Sequence, residues 1–135
     1  MARTPITVKR ELYSDFFKDF TENPVSNDLA RKVNEESVKE SIRNLLLTDK
    51  GERPMQPRLG GDIRRLLFDN MTSATLTIIK QVVEETIRNY EPRAQLIGVD
   101  VRSTIDDNAV QITVVFNVIN SEDDITLTTT ISRVR

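Results

Sequence analysis

The hydrophobic period of this chain changes once, at Pro92, and that change restricts the folds open to it. Upstream, Leu76, Ile79, Val83, Ile87 and Tyr90 recur at intervals of three and four, the stripe of a helix lying on a core. Downstream, Val110, Ile112, Val114, Phe116 and Val118 alternate with Gln111, Thr113 and Asn117, the period-two pattern of an antiparallel strand covered on one face. Pro92 disfavours helical geometry at Glu91 and so ends the helix. The expected class is therefore α+β: about three helices, then a three-stranded antiparallel meander, with the helices covering the apolar face of the sheet.

The other elements follow from the same signals. A first amphipathic helix is expected from Asn34, its N-cap, to about Thr48, with Val38, Ile42, Leu45 and Leu46 on its apolar side. Two prolines and three glycines between Asp49 and Gly61 forbid a continuous helix and require a shaped loop. A short helix follows from about Asp62, carrying Ile63, Leu66 and Leu67, and breaks at Asp69-Asn70-Met71. Thr72 caps the long third helix. Strands are expected over Leu96 to Thr104, Ala109 to Ile119 and Ile125 to Arg135, joined by turns at Asp106-Asp107-Asn108 and Ser121 to Asp124. At 135 residues the chain fits one domain, placed over residues 30–135 and preceded by an arm over residues 1–29. In the arm, Tyr13, Phe16, Phe17 and Phe20 stand at spacings that suit a short amphipathic turn of helix.

Composition removes several kinds of chemistry. With no cysteine and no histidine the chain has no disulfide, no thiolate nucleophile, no usual zinc set and no nucleophile–histidine couple. A net charge of −2 and a pI near 5.3 argue against broad nucleic-acid binding. No apolar run is long enough to span a membrane, and Met1 to Arg10 does not read as a secretory signal. The loop glycines lack the Lys-Ser/Thr ending of a phosphate-binding loop, and the acidic turns lack the spacing of a calcium loop. Carboxylate chemistry of the glycosidase kind stays open, because any pair of acids could be nominated for it. No catalytic residue, metal ligand or cofactor is therefore assigned. At the corner, Tyr90-Glu91-Pro92-Arg93 presents a carboxylate and a guanidinium on a stiff junction. They suit either bidentate pairing with a partner or an internal salt bridge that pins the corner.

Taken in order, Thr48, Gly51-Glu52-Arg53-Pro54, Pro57, Gly60, Leu67-Phe68-Asp69-Asn70 and Tyr90-Glu91-Pro92-Arg93 ahead of a three-stranded end resemble the baseplate wedge, sheath-initiator family of contractile-tailed bacteriophages. That family is often labelled lysozyme-like and is related to type VI secretion baseplate subunits. The resemblance runs from about Asn34 to Arg135; Leu59 departs from it, where an aromatic residue is expected. It implies a structural virion protein of the tail baseplate, assembled in the host cytoplasm, with no enzymatic activity and with no nucleic-acid or membrane partner. By position it implies that Glu91 and Arg93 bind neighbouring wedge proteins and that Gly51, Arg53, Pro57 and Gly60 shape the family loop. It also implies that the strand bearing Ile125, Leu127, Thr129, Ile131 and Arg133 receives the tail sheath protein by strand addition. Tail tube or baseplate hub proteins are further expected partners. The rival functions are a murein hydrolase and a subunit of a type VI secretion or other contractile injection system.

Overall fold

The computed structural model describes residues 10–104 and 109–133. The element order is β1 (Ser14–Phe16), β2 (Arg31–Val33), α1 (Asn34–Leu47), α2 (Ile63–Leu66), α3 (Ser73–Tyr90), β3 (Ala94–Thr104), β4 (Ala109–Val118) and β5 (Asp124–Ser132). The chain forms two compact units, Met1–Ser37 and Val38–Arg135.

The larger unit follows the change of period. Val38, Ile42, Leu45 and Leu46 of α1, Ile63 at α2, and Ile79, Val83 and Ile87 of α3 are all buried. So are Val110, Ile112, Val114, Phe116 and Val118 of β4 and Leu127 and Ile131 of β5. Each such side chain contributes roughly 1.5–3 kcal/mol on leaving water, which is why the sheet's one continuous apolar face is covered by the helices. The sheet is antiparallel throughout, in the order β3-β4-β5. The register of β3 on β4 slips between Leu96 and Gly98, a bulge that leaves Ile97 without an opposite residue. Helix α3 packs against α2 and β3, whereas β5 lies beside β4 as the last strand of the sheet.

Thr72 caps α3 as expected: its backbone is extended and its hydroxyl accepts from the Thr75 amide at 3.2 Å. Among the described residues no helix is long and apolar enough to cross a membrane. The turn expected at Asp106-Asp107-Asn108 lies outside the described residues.

The smaller unit corrects two expectations. Two short strands precede the helices: Ser14–Phe16 pairs antiparallel with Arg31–Val33, and no turn of helix carries the aromatic residues. A 3–4 spacing over one turn cannot outvote a partner strand 17 residues further on, whose backbone satisfies the amides that a lone turn would leave open. Asn34 also does not act as the cap of α1. It sits in the left-handed region at φ 48° and turns its side chain back to the N-terminal segment. Its Oδ1 accepts from the amides of Leu12 (2.8 Å) and Tyr13 (3.3 Å), and its Nδ2 donates to the Arg10 carbonyl (3.2 Å). Asparagine tolerates this φ better than other residues with a Cβ, so the strand-to-helix reversal is placed where the sequence can adopt it.

Candidate interaction site

The corner after α3 is built by its own backbone first. Glu91 ends the helix with φ −126° while its amide still donates to the Ile87 carbonyl at 2.9 Å. Two residues on, the Arg93 carbonyl accepts from the Ile119 amide at 3.0 Å and joins the corner to the end of β4. Within this frame the Glu91 side chain is only 3% exposed, and Arg93 closes on it in a fork: Nε to Oε1 at 2.6 Å and Nη2 to Oε2 at 3.0 Å. The Ser41 hydroxyl of α1 donates a short hydrogen bond to the same Oε2. Burial pushes the Glu91 pKa up, but the hydrogen bonds from Arg93 and Ser41 and the Arg93 charge outweigh it and hold the carboxyl below its ordinary value. The carboxylate is therefore ionised, satisfied and internal, and it fastens α1 to the helix–strand corner. The Arg93 side chain is 31% exposed and forms the outer half of the pair.

The loop between α1 and α2 is shaped by its glycines. Gly51 takes φ +87° and its amide donates to the Pro57 carbonyl at 2.8 Å, closing the turn that holds Arg53. Gly60 takes φ +117° against the Thr48 carbonyl, in space that a Cβ would fill. Arg53 and Pro57 are exposed. The Tyr90 hydroxyl donates to the Arg58 carbonyl at 2.8 Å, tying the loop to the end of α3. Gln56, Pro57, Arg58, Leu59 and Tyr90 line an open groove of about 420 Å³.

In β5 the assigned residues divide by the pleat. Leu127, Thr129 and Ile131 point into the core, Ile125 is half-buried, and Thr126, Thr128, Thr130 and Ser132 face out. The Thr129 hydroxyl is buried without a hydrogen-bond partner. An added strand would pair with the backbone on the side of β5 away from β4. Arg133 follows β5, exposed, with its guanidinium 5.0 Å from the centre of the Phe68 ring. Sequence reasoning missed Ser41, fifty residues from its carboxylate, and the Phe68–Arg133 stack. Neither leaves a local signal, since both pairs meet only through the fold.

The structure thus brings Glu91 and Arg93 together, with Ser41 as third member. It places the loop residues and β5 elsewhere on the same unit. Comparison with known proteins shows the family. The family model described as baseplate wedge protein gp25 matches residues 32–123. This chain belongs to that family. The baseplate wedge protein gp25 of Enterobacteria phage T4 is 35% identical over 115 residues, covering 85% of this chain and 86% of that one. A crystal structure from Geobacter sulfurreducens described as a candidate tail lysozyme is 29% identical with a TM-score of 0.68, covering 75% of this chain and 92% of the other. The baseplate of the anti-feeding prophage contains a chain of the same fold, 24% identical with a TM-score of 0.62, covering 87% and 83%. Family membership makes this a wedge protein of a contractile tail and a structural part of the virion baseplate. The matched segment of the family model includes the corner and the loop and stops just before β5.

Proposed function

We propose that this wedge protein is a non-catalytic assembly platform that binds neighbouring wedge proteins at the corner around Arg93 and receives the first tail sheath subunits by strand addition to β5. Glu91 is a positioning residue in this reading: buried behind Arg93, it fixes the guanidinium at the surface in one orientation. The loop carrying Gly51, Arg53, Pro57 and Gly60 forms a second, rigid part of the wedge-facing surface, and contacts to tube or hub proteins belong to the assembled baseplate. No cofactor takes part.

The observation that carries the sheath role is the outer side of β5. It is the last strand of an antiparallel sheet, and an edge strand offers a row of backbone donors and acceptors to another chain. Hydrogen exchange on the wedge protein mixed with sheath protein tests it. Slowed exchange across Thr126 to Ser132 is the expected result; protection elsewhere with none in β5 would remove the role.

The Geobacter relative's description keeps a murein hydrolase in view. A glycosidase general acid needs a carboxyl held protonated by a raised pKa, whereas the buried carboxyl here, Glu91, is shifted down by its partners. Clearing of a peptidoglycan suspension by the pure protein, lost on neutralising one particular carboxylate, would favour the hydrolase instead.

A further inference from the structure

The two outer strands of the sheet are not equivalent. β3 carries the bulge at Ile97 and the Asp100–Arg102 ion pair (2.7 Å), both of which obstruct continuation of a sheet. β5 has no bulge in its register from Asp124 to Ser132, and between those residues it carries no charge at all. Charge is instead gathered at its two ends: Glu122, Asp123 and Asp124 at the start, and Arg133 at the finish. Arg133 lies over Phe68, which is 57% exposed, so the basic end also offers an apolar ring.

We propose that β5 selects both the identity and the direction of the strand it accepts: an antiparallel protein segment with an acidic N-terminal end, placed beside Arg133, and a basic C-terminal end, placed beside Glu122, Asp123 and Asp124. This inference rests on the strand-addition reading above and specifies its partner. Antiparallel addition continues the pattern of a sheet whose strands are all antiparallel and gives the better aligned hydrogen bonds. A partner segment in that direction has its N-terminal residues next to the end of β5. Complementary charge at both ends favours one direction, and the reverse direction sets like charges side by side. The uncharged middle supplies affinity through backbone pairing without sequence preference, which leaves the ends to set direction. Phe68 completes the basic end as the surface on which an apolar residue of the incoming strand would pack.

The test uses two fluorescent ten-residue peptides with the same alternating Val/Thr middle, one with two Glu first and two Lys last, the other with the charges exchanged. Anisotropy with the full chain should show the Glu-first peptide binding about threefold to tenfold tighter at low salt, the preference shrinking as salt rises. Arg133→Glu combined with Glu122→Lys and Asp124→Lys, all at exposed positions, should reverse the order, with an unchanged melting temperature confirming the fold. Hydrogen exchange should place the Glu-first peptide on Thr126 to Ser132. Tighter binding of the Lys-first peptide would overturn the direction. Equal binding of the two at β5 would overturn the charge selection and leave strand addition standing. Binding of neither, or protection of β3, would overturn both. A free chain that sediments as a dimer through β5 would give the edge to a second copy and contradict a foreign strand.

Discussion

At Gly60 the chain passes so close to the Thr48 carbonyl, with φ at +117°, that a methyl group would collide with it. Gly60→Ala should therefore cost about 3 kcal/mol or more, seen as a large fall in thermal midpoint, whereas Gly51→Ala meets open space and should cost less. Thr129 presents the opposite case. Its buried hydroxyl has no partner, so Thr129→Val keeps the shape and removes a desolvated polar group, and stability should rise by about 1 kcal/mol. Glu91 links stability to pH with a definite sign. Its folded pKa lies below the unfolded value near 4.5, so its contribution is complete above that pH and is lost as pH falls through the lowered folded value. A melting series from pH 7 to pH 2 should show this acid loss, and Glu91→Gln should blunt it. Arg93→Ala should destabilise at neutral pH, because it leaves a buried carboxylate with only Ser41 of its two named partners. The residue types and spacing at the corner made the Glu91–Arg93 pairing legible as one of two readings. The depth of Glu91 was not legible, because it depends on Ser41 arriving from a helix far away in sequence.

Among the elements, those marked by an apolar stripe, an alternation or a flanking breaker were readable, the four-residue α2 included, and the two short strands near the start were not. α3 runs for 18 residues with its apolar stripe, its Thr72 cap and its Pro92 stop agreeing, and β4 alternates from Val110 to Val118. α3 is fixed by three signals that agree, β4 by one pattern repeated over several periods. The three-residue strands β1 and β2 have no period to read, and their existence is decided by pairing with each other and by the Asn34 side chain. The same asparagine that suits a helix cap suits a left-handed reversal, and only the tertiary partners Leu12 and Tyr13 decide between them. For β5 the readable part was its alternation; its position at the edge of the sheet was given by topology. Successive residues of a strand turn their backbone groups to opposite sides, so Thr128→Pro and Thr129→Pro should differ sharply. The one that removes a ladder bond to β4 should lower the melting temperature, and its neighbour, facing the open side, should leave the fold nearly intact.

At the scale of the molecule, the larger unit combines a rigid corner, a glycine-shaped loop and a strand edge on one core, without a cysteine or histidine anywhere in the chain. Such a body suits the role proposed above, in which several partners are held in fixed positions. If β5 starts the sheath, the edge-facing proline variant removes that start while sparing the ladder to β4. Tails should be assembled with that variant, its fold confirmed by an unchanged melting temperature, and imaged by electron microscopy. Complete baseplates bearing tubes without sheath are the expected result; tubes sheathed to normal length would show that the sheath starts elsewhere.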